Sequence, residues 1–111
     1  MNQYRVILTP EAENDLREIY RYIASVLQEK AAAHRLVAKI KDAILDLETM
    51  PERWSLYHQA PWESRGLRKA IVGNYIVFYY LQGQSVYVIS ILYGKRDIET
   101  ILNQRGPIGP Q

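Results

Sequence analysis

Two apolar stripes in the first half of the chain run out of step with each other, and that mismatch decides how this half can fold. Ala12, Leu16, Ile19, Tyr20, Ile23 and Leu27 recur at helical period. Ala33, Leu36, Val37, Ile40, Ala43, Ile44 and Leu47 form a second stripe of the same period. A single straight helix that continued the first stripe would bury Lys30, Ala31 and His34. A break between Gln28 and Ala32 avoids that cost, although no glycine or proline marks it, and makes the two segments a helical hairpin.

The flanks extend this reading. Gln3–Leu8 alternates weakly and reads as a first strand. Thr9-Pro10-Glu11 opens the first helix, with Thr9 as cap and Pro10 at the position where a missing N–H costs nothing. Glu11, Glu13 and Asp15 put negative charge near the positive end of the helix dipole. The second helix is predicted to end near Met50-Pro51, since the residue before a proline disfavours the α region. Glu52–Ser64 reads as a loop. Leu67–Val72, Tyr75–Leu81 and Val86–Leu92 are strand-length runs separated by Gly73-Asn74 and Gln82-Gly83-Gln84, an antiparallel meander. Gly94 breaks the pattern, and Lys95–Leu102 reads either as a short helical turn or as a strand extension. The order β-α-α-β-β-β is an α+β fold in two layers, the hairpin packed on the sheet. It occupies one domain over residues 1–103, followed by a flexible tail at 104–111 that contains Gly106-Pro107-Ile108-Gly109-Pro110.

Composition removes several function classes. The 111 residues include no cysteine and only two histidines, His34 and His58, so disulfides and thiolate metal sites are excluded and no metal or other cofactor is expected. Residues 1–9 carry no apolar core of a secretory leader. The longest apolar blocks, Tyr75–Leu81 and Val86–Tyr93, fall far short of the ~18 residues that span a bilayer, so a cytoplasmic protein without a membrane partner is expected. A net charge of +2 permits contact with nucleic acid or an acidic protein and demands neither. Nine tyrosines against one phenylalanine suit half-buried strand faces, contact surfaces, or both.

Three local patterns, in order, resemble the RelE/ParE toxin superfamily. The first is Tyr4-Arg5-Val6, then Leu8-Thr9-Pro10-Glu11-Ala12, Asp15-Leu16, Ile19 and Tyr22-Ile23, which is similar to the start of ParE-type toxins. The second is Gly66-Leu67-Arg68 leading to Gly73-Asn74-Tyr75-Ile76-Val77-Phe78-Tyr79. The third is Val88-Ile89, Ile91 and Tyr93-Gly94-Lys95-Arg96-Asp97. Together they cover roughly residues 3–102. The resemblance implies the toxin of a type II toxin–antitoxin pair, neutralised by a cognate antitoxin that wraps a partly disordered segment around helices and sheet. It also implies one of two targets. RelE-type members cut mRNA on the ribosome, whereas ParE-type members poison DNA gyrase.

Metal-free RNA cleavage needs groups that deprotonate the 2′-hydroxyl, stabilise the phosphorane and protonate the leaving oxygen. By resemblance the RelE-type arginine after the tyrosine of the second pattern falls on Ile76, and the C-terminal tyrosine falls near Leu102, so both roles are vacant. A terminal His–Tyr pair is missing as well. Gly94-Lys95-Arg96 does match, and Arg68 with Lys69 corresponds loosely to an upstream basic pair. The nuclease candidates are therefore Arg68, Tyr93, Lys95 and Arg96, and the two vacancies favour gyrase. For Arg96 the readings are a phosphate or partner contact, or a solvated strand end paired with Asp97 or Glu99. Lys95 reads as solvated. Arg68 and Lys69 must face opposite sides of their strand, and Arg68 is either a ligand contact or a structural link. His34 reads as solvated surface. His58 reads as a general base or as an exposed loop residue. Trp54 and Trp62 either close one end of the core or present an exposed contact.

Overall fold

A computed structural model describes residues 3–105. Its elements are β1 (Arg5–Leu8), α1 (Pro10–Arg21), α2 (Lys30–Asp46), β2 (Leu67–Val72), β3 (Tyr75–Gln82), β4 (Ser85–Tyr93) and α3 (Ile98–Arg105). A π-turn, Tyr22–Val26, extends α1. The α+β arrangement read from the sequence holds: one four-stranded sheet in the order β1-β4-β3-β2, with the hairpin on one face.

Local chemistry accounts for the boundaries. The Thr9 side chain accepts from the Ala12 N–H at 3.2 Å while its hydroxyl donates to the Ile89 carbonyl, so one residue caps α1 and ties its start to β4. Gln28 takes φ +56°, a left-handed value, and breaks the two helices apart where their stripes fall out of phase. α2 stops at Asp46, short of Met50-Pro51. There the bonding tightens into turns, with the Glu48 N–H donating to the Leu45 carbonyl and the Thr49 N–H and hydroxyl to the Asp46 carbonyl, while the Glu48 carbonyl accepts from the Tyr4 N–H at 2.7 Å. Lys95–Leu102 resolves as a turn up to Asp97 followed by helix from Ile98, with Asp97 accepting from the Thr100 N–H and hydroxyl at the helix start. The domain boundary expected after residue 103 falls inside α3, which continues through Arg105. The rest of the expected tail, 106–111, lies outside the described residues.

β4 is the spine of the sheet. Its near-continuous apolar run suits a strand covered on both faces, and it pairs with β3 on one side and, in parallel, with β1 on the other. On the hairpin face, Ala12, Ile40, Ile44 and Leu47 pack on Ala70, Val77, Tyr79, Val86, Val88 and Ile91. The opposite face carries a smaller cluster, Trp62, Leu67, Phe78, Ile89, Leu92 and Leu102, closed by α3 and the loop before β2. Trp62 is buried in it and Trp54 packs against the main core, so both tryptophans close the core. Phe78 pairs with Ser90 and Tyr79 with Val88, which leaves Ile89 as an extra residue in β4. This bulge reverses the strand's alternation: Val88 and Ile91, three residues apart, both enter the main core.

β1 pairs only with Ser85–Val88, so beyond it the edge of β4 is open. Asp15 of α1 fills that gap. Its Oδ2 accepts from the Ile91 N–H at 2.9 Å. Arg105 reaches the same carboxylate with both guanidinium nitrogens, Nη1 to Oδ2 at 2.6 Å and Nη2 to Oδ1 at 2.9 Å, and Nη1 also donates to the buried Ser90 hydroxyl at 2.9 Å. The fork joins α1 on one face to α3 on the other, around the strand edge. Its groups are mostly buried, and the carboxylate raises the Arg105 pKa above its ordinary value, chiefly through the hydrogen bonds.

Removing one partner of such a pair strands a buried charge, which costs about 3 kcal/mol. Arg105→Ala is therefore expected to lower stability by about that amount in urea unfolding, with Arg105→Lys recovering only part because a lysine cannot fork. A loss below about 1 kcal/mol, the range of an exposed pair, would show that the fork does not hold the faces together.

Candidate functional site

Three surfaces carry the chemistry that a site could use. The first is the hairpin. Leu8, Leu16, Tyr20 and Val37 line an open groove of about 760 Å³ beside α1 and α2, and Arg17, Arg21, Lys41 and His34 stand along it against a single acidic lining residue, Glu13. The Tyr20 hydroxyl meets His34 Nε2 at 3.0 Å, with the two rings edge to face at 5.1 Å, and this contact bridges the two helices. Arg21 also pairs with Glu18 at 2.9 Å, an exposed contact that contributes little. An apolar floor with a basic rim fits an amphipathic acidic segment.

The second surface is the end of the sheet where β3 begins and β4 stops. Tyr75 and Tyr93 are cross-strand partners, edge to face with centroids 5.5 Å apart. Burial first, then the Tyr93 and Tyr22 phenols, raise the Tyr75 pKa. Lys95 and Arg96 follow in an exposed turn whose Arg96 N–H donates to the Tyr93 carbonyl. Gly94 needs its missing Cβ here: an added methyl would press on the Asn74 carbonyl at 3.3 Å. Among the described residues neither Lys95 nor Arg96 forms an ion pair, and Asp97 is engaged in capping α3. The solvated pairing of Arg96 with Asp97 or Glu99 is thus absent.

The third surface is the face opposite the hairpin. Ile76 and Leu102, the positions where the resemblance would put an arginine and a tyrosine, both pack in the smaller core, Leu102 fully buried. An apolar pair there builds the seat of α3. Lys69 lies on this side with Nζ 6.0 Å from the Tyr57 ring.

Arg68 stands apart from the other nuclease candidates. It pairs in register with Tyr79, four residues along β2 from the Val72–Tyr75 pair, on the order of 13 Å at strand rise. Its Nη1 donates to the Trp54 carbonyl at 2.6 Å, the structural link. Beside it the buried Tyr79 hydroxyl donates to the Pro51 carbonyl at 2.6 Å. Segment 55–57 runs along the β2 edge there, with Leu56 bridged to Arg68. Tyr93, Lys95 and Arg96 remain together, while Arg68 belongs to the loop anchor. His58 does have a partner: Nδ1 meets Glu63 Oε2 at 2.7 Å, both groups exposed. Every phenol with a displaced pKa is displaced upward by burial, Tyr57, Tyr75 and Tyr80 included, and Tyr79 most, to about 12. Raised values suit packing residues rather than bases poised at neutral pH.

The groove cations Arg17, Arg21 and Lys41 were not among the sequence candidates, although Arg17 and Arg21 lie one helical turn apart. Tyr22 and Tyr75 stood in the motifs as framework only.

Two solved structures share this fold. A solved chain from the chromosomal ParDE toxin–antitoxin system of P. aeruginosa superposes with a TM-score of 0.68 at 18% identity, over 82% of this chain and 96% of that one. A chain of the RelBE2 toxin–antitoxin complex of Mycobacterium tuberculosis superposes with a TM-score of 0.62 at 19% identity, over 82% and 98%. Comparison with curated protein sequences finds no match. The family model of the ParE toxin of the type II toxin–antitoxin system parDE matches residues 6–98, and the chain belongs to that family. No helix among the described residues is long and apolar enough to cross a membrane.

Since Tyr79 keeps its proton more tightly folded, to about pH 12, than unfolded, near pH 10, its contribution is complete below about pH 10 and disappears as pH rises towards about 12. The wild-type urea midpoint is expected to fall across that window. Tyr79→Phe starts about 1–2 kcal/mol less stable, having lost a buried hydrogen bond, and falls less steeply.

Proposed function

We propose that the chain poisons DNA gyrase in the cytoplasm and is held inactive by a cognate antitoxin. The observation that carries the gyrase reading is the pair Ile76 and Leu102: both hold α3 in the smaller core, and neither supplies charge or a proton where the resemblance requires them. Membership of the ParE family supports the same choice. A poison works by binding, so it needs no general base, and the upward-displaced phenols are compatible with that. In the alternative reading, a ribosome-dependent mRNA endonuclease, Tyr93, Lys95 and Arg96 would act on RNA, and their shared exposed corner is the feature in its favour. A partner-binding relative without toxicity is the third reading.

The antitoxin belongs in the hairpin groove. Its apolar floor would receive the side chains of an amphipathic segment, and Arg17, Arg21 and Lys41 would face carboxylates on that segment.

Purified gyrase supplies the test. The chain is expected to stop ATP-dependent supercoiling of a relaxed plasmid, and the antitoxin is expected to restore it. Undiminished supercoiling at a large molar excess of the chain would remove gyrase as the target. In the same assay the double reversal Arg21→Glu with Lys41→Glu should keep the inhibition but need at least about tenfold more antitoxin for rescue, the effect of reversing rim charges. Rescue at the wild-type ratio would move the antitoxin elsewhere.

A further inference from the structure

We infer that His34, held by Tyr20 at the edge of the hairpin groove, binds a carboxylate of the antitoxin segment as an imidazolium, so that capture of the segment takes up a proton. The inference rests on the reading of the groove as the seat of an acidic amphipathic segment, and it adds the residue that makes this seat proton-dependent.

The ring has a fixed place. His34 and Lys41 of α2 line the groove opposite Glu13, Arg17, Tyr20 and Arg21 of α1. The Tyr20 hydroxyl meets Nε2 at 3.0 Å, and the two rings stand edge to face at 72°. A phenol both donates and accepts, so it can serve Nε2 whether or not that nitrogen carries a proton. Nδ1 has no partner among the described residues. One nitrogen is therefore anchored between the helices, and the other is left for a ligand.

The charges around the ring say what that ligand carries. On its own helix, Lys30 lies one turn before His34 and Arg35 follows it. β1 contributes Leu8 to the lining, which does not titrate. Glu13 is the one carboxylate of the lining, and it lies two turns before Tyr20 on α1, on the order of 10 Å along the helix. Beside Arg17, Arg21 and Lys41, the free chain gives an imidazolium like-charged company and no adjacent carboxylate. A bound segment supplies the missing charge. Histidine is the side chain whose ordinary range lies between pH 5 and 8, so that charge is able to draw a proton onto the ring. Leu8, Leu16 and Val37 call for apolar side chains between the carboxylates, which selects a peptide over the phosphates of a nucleic acid.

The sign of the effect follows from reciprocity: if binding raises the affinity of His34 for a proton, protons raise the affinity of the groove for the segment by the same factor. The gain is complete below the midpoint of the free ring and is lost as pH rises through that of the bound ring.

The probe is a fluorescein-labelled peptide of about four helical turns, with leucines along one face and glutamates beside them. Its binding to the full chain is followed by anisotropy at low salt, from about pH 8 to about pH 5.5, where glutamates are still ionised. Wild type is expected to bind roughly threefold or more tightly at the lower pH, the scale of one added ion pair at an exposed site. His34→Gln keeps an acceptor for Tyr20 but cannot take up a proton. It should match wild type at high pH and lack the increase that wild type gains at low pH. His34→Arg should bind at high pH at least as well as wild type does at low pH. The His34 C2–H resonance should titrate at a higher pH once peptide is added. His34 is exposed, so thermal midpoints of the variants should stay near wild type. Wild-type binding without pH dependence, a dependence equal in wild type and His34→Gln, or an unmoved His34 titration would each overturn the inference while leaving the groove reading in place. No binding at any pH would defeat both. Displacement of the peptide by a single-stranded DNA oligonucleotide at equal concentration would assign the groove to phosphates and overturn the inference as well.

Discussion

One carboxylate holds this small domain together. Asp15 satisfies the Ile91 N–H left open where β1 ends, and it receives the Arg105 fork from the far side of the sheet. Without it the two faces would be separate packings on a shared sheet: a hairpin layer with a full core, and a short helix resting on a small one. α3 is eight residues long, too short to persist as an isolated helix. Its place depends on Leu102 in the smaller core and on Arg105 at its last turn. The bulge at Ile89 belongs to the same device, since Ser90 beside it meets the guanidinium.

Much of the architecture was legible because its signals are local. The out-of-phase stripes located the hairpin break within a residue or two of Gln28, and the glycine turns bounded the meander. Position within the sheet was less accessible. No local pattern says that β1 lies parallel to β4, or that β4 is central, although its near-continuous apolar run is of the kind that strands buried on both faces carry. Two residues carried an unused signal. Asp15 lies three residues after Ala12 and four before Ile19, inside the apolar stripe, where an unpaired carboxylate is too costly to keep. Ser90 interrupts the most apolar strand of the chain. Each announced a buried polar partner, but that partner lies 90 residues from Asp15 in sequence, at the end of a segment whose character the local pattern left open.

The candidate site was legible in part. Tyr93, Lys95 and Arg96 do share an exposed corner, whereas Arg68 anchors the loop before β2 through the Trp54 carbonyl. That assignment follows from tertiary pairing of segment 55–57 with the β2 edge, which leaves no trace in composition. The groove cations are regularly spaced on their helices, but spacing alone does not distinguish a rim around an apolar floor from an ordinary solvated face.

Fold and family leave the toxin's mode of action to the particular side chains on the scaffold. Two positions where the resemblance to RelE-type toxins puts a charge and a phenol instead pack in the smaller core under α3, and the proposed gyrase reading rests on that pair. The claim that this chain acts by binding is tested most directly on translating ribosomes. Purified chain is added to ribosomes programmed with an end-labelled mRNA, and the message is read by primer extension. The account expects the message to stay intact at every concentration that arrests growth. Discrete cleavage in the ribosomal A site, lost in Arg96→Ala, would contradict it.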